Sequence, residues 1–259
     1  MSKDKKVAAI VTTFNRGPKI KATVDSILKQ SFEVGRLVVV DDGSSDAGYL
    51  EEIVNSRLTV KRFKTNKGVV WARNYGISEL LDYEYLLFVD DDIVLDRDCV
   101  EELLKAFDKP DTVASMPTVY FLSQKERVWS AGSGVDLLTG KTMFYTEKPS
   151  SDFNSIEAAT SIILVKTSEI IKHGWYDPIY YFCYEDADFY YRLRSDKGKI
   201  LCSSKAISYH DIETTLSLDR VTKRSYHIAR GRVFFLSKFG YFFPVNLLFV
   251  LGFGIYYQY

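Results

Sequence analysis

The chain has 259 residues and a mass of 29.7 kDa, enough for one large domain or one domain with a tail. Hydrophobic residues make up 46% and charged residues 26%, a globular balance that excludes a disordered or collagenous chain. Lys plus Arg and Asp plus Glu are both 34, which excludes the basic excess of a general nucleic-acid binder, although six basic residues face one acid between Asp219 and Lys238.

The first 110 residues alternate strand and helix patterns. Residues 7–14 and 37–41 are short apolar runs of the kind found in buried parallel strands. Between them Ile20, Val24, Ile27 and Leu28 form the apolar stripe of an amphipathic helix. Residues 59–63 and 85–89 read as strands, with a helix over 69–81 between them. Val100, Leu103, Leu104 and Phe107 mark another helix. Repeated β-α order predicts an α/β fold, a mainly parallel sheet with helices on both faces and ligands outside the carboxyl ends of its strands. After Pro110 the strand-like runs 112–120, 128–131 and 142–146 are separated by Gly-rich turns, which predicts mixed or antiparallel pairing. A strand over 161–165, a helix over 167–173 and a helix over 185–195 follow. The three cysteines have no CxxC spacing, so neither a disulfide frame nor a cysteine zinc site is expected. The charged N-terminus and its short apolar run lack a signal-peptide pattern. Residues 134–142 miss the P-loop spacing by one residue.

Five clusters carry chemistry. Asp90, Asp91 and Asp92 end a strand, and three adjacent carboxylates repel one another unless a cation gathers them. Hard oxygen ligands suit Mg²⁺ or Mn²⁺. The plain alternative is an acidic loop capping the next helix. Asp41 and Asp42 end an earlier strand, where Asp-Gly-Ser is also ordinary turn chemistry. Lys67 and Arg73 lie on the following loop and helix, where a phosphate or base would meet them. Glu185, Asp186 and Asp188 open a helix after a run of aromatic residues that includes Trp175 and Tyr184. Rings beside carboxylates grip sugars, and they also pack cores. His210, at the end of a late strand, is a candidate further metal ligand.

The ordered set Thr13-Phe14-Asn15-Arg16, Val40-Asp41-Asp42-Gly43-Ser44, Asn66-Lys67-Gly68 with Ala72-Arg73-Asn74, Asp90-Asp91-Asp92 and Glu185-Asp186 resembles inverting nucleotide-sugar glycosyltransferases of family 2 with the GT-A, Rossmann-like fold. The stretch from Gly174 to Arg192 is most similar to the rhamnosyltransferase-type branch. The resemblance implies a donor site of Thr12, Thr13, Asn15, Arg16, Asp41, Asp42, Lys67, Arg73, Asp90 and Asp91. Within it Thr12 or Thr13, Asp41 and Arg73 would hold the base, and Asp90 the ribose. It also implies Asp92 and His210 on Mn²⁺ or Mg²⁺, Asp186 as catalytic base, and an acceptor side from Trp175, Tyr184 and Glu185. The implied activity is metal-dependent hexosyl or deoxyhexosyl transfer to a hydroxyl of a glycan or lipid-linked acceptor. The alternatives are a polyprenyl-phosphate acceptor, a sugar nucleotidyltransferase, or a non-catalytic nucleotide-sugar-binding subunit. No Gly-rich phosphate loop follows the first strand, against the nucleotidyltransferase, and Asp92 and Asp186 are both present, against the non-catalytic subunit.

The expected organisation is a catalytic domain over 1–215, with a nucleotide-sugar half to about 110 and an acceptor half beyond it, then a basic, apolar helical tail over 216–259. Residues 241–259 carry no formal charge. As a helix they would rise roughly 28 Å, just short of a ~30 Å hydrocarbon core. With basic residues 220–238 before them, they predict peripheral or monotopic attachment to the cytoplasmic face of the membrane.

Overall fold

The computed structural model describes residues 6–212 and 218–241, together with 244 and 248. In chain order the elements begin β1 (Val7–Thr13), α1 (Ile20–Leu28), β2 (Val34–Asp41), α2 (Gly48–Glu51), β3 (Leu58–Arg62), α3 (Val69–Ser78), β4 (Tyr85–Asp90), β5 (Ile93–Leu95) and α4 (Cys99–Leu104). There follow β6 (Thr112–Phe121), β7 (Gln124–Ser130), β8 (Ser133–Val135), β9 (Thr142–Phe144), β10 (Phe153–Ile156) and β11 (Ile162–Lys166). The last are α5 (Thr167–His173), α6 (Glu185–Leu193), β12 (Lys199–His210) and α7 (Leu218–Phe239).

The main sheet runs β10-β12-β6-β11-β4-β1-β2-β3, with β5 joined to β12 and β7 to β6. Its first half is parallel throughout: β4 with β1, β1 with β2, and β2 with β3. β11 then enters antiparallel between β4 and β6, as the changed rhythm after Pro110 predicts. Both β1 and β4 are almost wholly buried, which is why they read as unbroken apolar runs. Residues 134–142, the P-loop near-miss, form the small β8–β9 hairpin instead.

Helix α7 packs on this sheet's helical layer. Phe235 and Leu236 are buried, and the Phe235 ring meets Tyr191 at 5.0 Å and Tyr184 at 5.8 Å. Burying a side chain of that size contributes about 2–3 kcal/mol. Gly231 sets the approach: a Cβ there would come within 2.8 Å of the Cys183 carbonyl, so a larger residue would push the helix away. The basic stretch predicted to face lipid is partly turned inward. Lys238 pairs with Asp177 and Asp188, each at 2.6 Å, and Arg232 donates to the Tyr184 hydroxyl. The expected boundary near 215, and residues 242–259 apart from 244 and 248, lie outside the described residues.

Candidate functional site

The parallel register assembles the site. Thr12 of β1 lies opposite Asp90 of β4, and Thr13 opposite Asp41 of β2, so the predicted donor residues share one carboxyl edge. β12 closes the arc from the other side, pairing His210 with Ile93 and bringing it beside the acidic turn.

The three adjacent aspartates do not repel one another into solvent, because each turns to a different partner. Asp90 accepts from Arg73 at 2.9 Å, Asp91 from the Thr13 hydroxyl at 2.5 Å, and Asp92 lies 3.1 Å from His210 Nε2. Thr23 also donates to the Asp91 carbonyl, tying α1 to the turn. Capping of the next helix is not their role: β5 intervenes, and the residue before α4 is Asp98. Burial pushes the Asp90 carboxyl up to about 6 against the pull of Arg73, although a third of that side chain stays open to water. Burial likewise pushes Asp91 up to about 7.

Arg73 is the hub. Only 7% of its side chain is exposed, and it donates to Asp186 at 2.5 Å while standing 3.4 Å from Glu185. Its guanidinium lies over the Tyr176 ring at 5.0 Å, and that ring stacks on Phe189 at 4.3 Å. Burial opposes the charge on Arg73, but the surrounding carboxylates hold its pKa well above the ordinary value. One cation cannot neutralise three acids. Burial first, and the neighbouring Asp186 second, push Glu185 up to about 8, and its Oε2 is buried without a partner. Burial thus favours the protonated form of Glu185, leaving Asp186, with 28% of its side chain exposed, as the acid open to the cleft. The chain reaches this helix through Cys183 and Tyr184, both left-handed at φ 65° and 66°, a strained turn that aims the acids at Arg73.

A divalent cation fits the pair Asp92 and His210. Among the described residues Asp92 Oδ1 and His210 Nδ1, both buried, have no hydrogen-bond partner, and the Trp129 ring holds the imidazole edge-on at 4.2 Å. A carboxylate with an imidazole suits Mn²⁺ or Mg²⁺. Among the described residues no group of three or more His, Cys, Asp or Glu could hold a metal ion, so this pair would be the protein's share of such a site.

The loops are held mainly by one another. Asp41 has no exposed side-chain surface; it accepts from the Ser44 backbone at 3.2 Å and pairs with Arg62 at 3.2 Å, so it shapes the turn. Asp42 accepts from the backbone N–H groups of Lys67 at 2.7 Å and Gly68 at 2.8 Å. That backbone contact is the reason for Asn66-Lys67-Gly68; a Cβ on Gly68, at φ 95°, would strike Tyr181 at 2.7 Å. Asn15 accepts from Ser45 at 2.9 Å, and Arg16 pairs with Asp211 at 2.7 Å. Thr12 is half-buried at the edge itself.

The predicted acceptor residues are not gathered as expected. Tyr184 is buried, with its hydroxyl donated to the Gly140 carbonyl, and Glu185 faces Arg73. Trp175 is half-buried, and its carbonyl accepts from Arg192 at 2.7 Å. Sequence reasoning passed over Trp129 and Asp211, whose partners lie far along the chain, and read Asn74 only as part of a motif. Asn74 clamps the backbone of Tyr176 at 2.8 and 3.1 Å.

With this geometry in place, the family model described as glycosyl transferase family 2 matches residues 8–165. A poly(ribitol-phosphate) beta-N-acetylglucosaminyltransferase of Staphylococcus aureus is 32% identical over 105 residues, covering 38% of this chain and 32% of that protein. A hyaluronan synthase of Streptococcus pyogenes is 32% identical over 122 residues, covering 43% of this chain and 29% of that protein. The chain thus spans about a third of the length of these relatives. The crystal structure of GalNAc-T7 with UDP, GalNAc and Mn²⁺ superimposes with a TM-score of 0.70 at 17% identity, over 80% of this chain and 44% of that one. That likeness gives the fold, GT-A-like and mixed α/β.

Proposed function

This chain belongs to glycosyl transferase family 2, and we propose that it moves a sugar from a nucleoside-diphosphate donor to a hydroxyl of a glycan or lipid-linked acceptor, with inversion at the anomeric carbon. The observation that carries the reading is the Arg73 hub, which joins Asp90 at the donor edge to Asp186 at the cleft, with the buried Glu185 beside them. Asp186 takes the proton from the acceptor hydroxyl as its oxygen attacks the anomeric carbon from the face opposite the diphosphate. The bond from that carbon to the diphosphate oxygen breaks, and the electron pair leaves with the diphosphate. Arg73 fixes the direction of Asp186 and compensates its charge. Asp92 and His210 would hold Mn²⁺ or Mg²⁺, which when bound neutralises the leaving diphosphate. Thr12, Thr13 and Asp90 line the donor edge, with the Asp41–Ser44 and Lys67–Gly68 turns supporting the base. The stretch from Gly174 to Arg192, similar to the rhamnosyltransferase-type branch, supports a hexosyl or deoxyhexosyl donor.

The test is release of nucleoside diphosphate from a panel of nucleotide sugars with and without Mn²⁺, with the anomeric configuration of the product read by NMR. No release from any donor, or retention of configuration, rejects the reading. In the same proposal the protein works at the cytoplasmic face of the membrane, attached through residues 241–259, whose uncharged aromatic composition supports it. Among the described residues no helix is long and apolar enough to cross a membrane. Flotation of the full chain with anionic vesicles, against a version ending at Gly240 that keeps α7, tests this. Equal flotation rejects it.

A further inference from the structure

A second cavity, of about 320 Å³, lies between the start of α3, the chain before α6 and the outer side of α7. Its walls carry three rings that remain open to solvent: Trp71 at 51%, Tyr181 at 39% and Tyr226 at 64% exposure. They are built into an ordered array. His227 stacks on Tyr181 at 4.8 Å with 21° between the planes, and Tyr226 meets His227 edge-on at 5.3 Å. Large aromatic rings grouped around one exposed cleft mark a binding surface more often than a core.

The charges in this cleft have one sign. Lys67 and Arg230 line it, and among the described residues no acidic side chain does. Each lies over a ring, Lys67 on Phe63 at 5.0 Å and Arg230 on Phe234 at 4.6 Å. Among the described residues neither has a carboxylate within ion-pair distance, in contrast to Lys238 on the same helix, which holds two. Two cations with no carboxylate at ion-pair distance among the described residues, held on aromatic faces, present a field that an anion completes. The cleft also adjoins the chemistry. Lys67 and Gly68 hold Asp42 through their backbones, and the chain from Tyr181 runs directly into Glu185 and Asp186.

We propose that this cleft binds the acceptor and that the acceptor is an acidic saccharide, its sugar rings on Trp71, Tyr181 and Tyr226 and a phosphate or carboxylate between Lys67 and Arg230. Naming the ligand an acceptor rests on the transferase reading; the binding site itself does not. It replaces the acceptor side that the sequence predicted at Trp175, Tyr184 and Glu185, of which Tyr184 and Glu185 are buried. Sugar faces stack on flat rings, and the two cations then discriminate charged from neutral chains, whose ring contacts are otherwise alike.

The experiment is calorimetric titration of the full chain with three probes: maltotetraose, maltotetraose 1-phosphate and tetragalacturonate. At least one acidic probe should bind, with the neutral probe ~10-fold weaker and the acidic binding reduced by salt. Whether the phosphate or the carboxylate probe binds more tightly assigns the anion. Arg230→Gln and Tyr226→Ala should each weaken the acidic probe ~10-fold while leaving nucleoside diphosphate affinity unchanged. Equal binding of neutral and acidic probes, no binding of either acidic probe up to ~10 mM, or no effect of the two variants overturns the proposal. It is also overturned if the variants release the protein from phosphatidylcholine–phosphatidylglycerol vesicles while saccharide binding stays intact, because the cleft is then a membrane contact. Normal acidic-saccharide binding by a chain that hydrolyses or transfers no donor would strike the transferase reading and leave the cleft standing.

Discussion

Arg73→Met removes the one cation shared by Asp90, Glu185 and Asp186 while keeping much of the side-chain bulk over Tyr176. Breaking a buried ion pair by deleting one partner costs about 3–5 kcal/mol, a large share of the 5–15 kcal/mol that roughly spans domain stability. The loss should depend on pH in a definite direction. Without the guanidinium the folded-state carboxyls rise further, so the native state holds protons that the unfolded state has released. Stability carried by a raised carboxyl is present at low pH and lost as pH climbs towards the folded value. Each carboxyl that stays protonated only in the folded state adds about 1.4 kcal/mol per pH unit. From pH 5.5 to pH 8 the defect should therefore deepen by roughly 3 kcal/mol for one such group. Urea unfolding of wild type and variant at both pH values measures it, and Arg73→Lys, which keeps the charge but not the fork, should fall between them. A pH-independent defect, or one below about 1 kcal/mol, would show that Arg73 is a peripheral contact and refute the hub.

Asp186→Asn should preserve donor affinity and lower transfer ~10²–10⁴-fold; near-normal turnover would reject it as the base and favour a phosphate acceptor. Asp92→Ala should abolish Mn²⁺-assisted binding of a nucleoside diphosphate with the fold intact by circular dichroism, and unchanged calorimetric affinity would sink that assignment. Glu185→Gln should flatten the wild-type decline in stability between pH 5 and 8, since the folded carboxyl is pushed from 4.5 to about 8 and the glutamine has no proton to lose; an unchanged slope in urea midpoints would contradict it. Phe235→Ala should cost about 3–5 kcal/mol in the same measurement, and a loss under ~1 kcal/mol would mean α7 is not part of the core.

The parallel half of the sheet was legible because strands buried on both faces must be apolar throughout, and β1, β2 and β4 are. The short strands β5, β8 and β10 were not, because three or four residues carry too little pattern, although the equally short β9 falls within the strand-like run 142–146. Motifs revealed which residues matter before they revealed how. Lys67, like Arg73, reads as a side-chain contact to phosphate or base, yet Asp42 takes the backbone N–H groups of Lys67 and Gly68. Trp129 carried no signal at all, since its value comes from an imidazole 81 positions later that only β12 brings beside it.

Helix α7 shows most clearly what charge counting leaves out. Its six basic residues read as one patch, but a helix has sides. Ile228, Gly231, Phe235 and Lys238 fall at i, i+3, i+7 and i+10, one continuous stripe. All four meet the body of the protein: Phe235 in the core, Ile228 half-buried against it, Gly231 against the Cys183 carbonyl, Lys238 against Asp177 and Asp188. Tyr226 and Arg230, four apart, lie on the flank and line the aromatic cleft. The period alone separates the inward stripe from the flank. What it cannot supply is the sign of the partner, because Asp177 and Asp188 are brought under Lys238 by the strained turn at Cys183 and Tyr184 and by α6. The same contact that holds one end of the basic stretch against Asp177 and Asp188 leaves Tyr226 and Arg230 along the wall of the aromatic cleft, so a single helix both covers the core and borders that cleft.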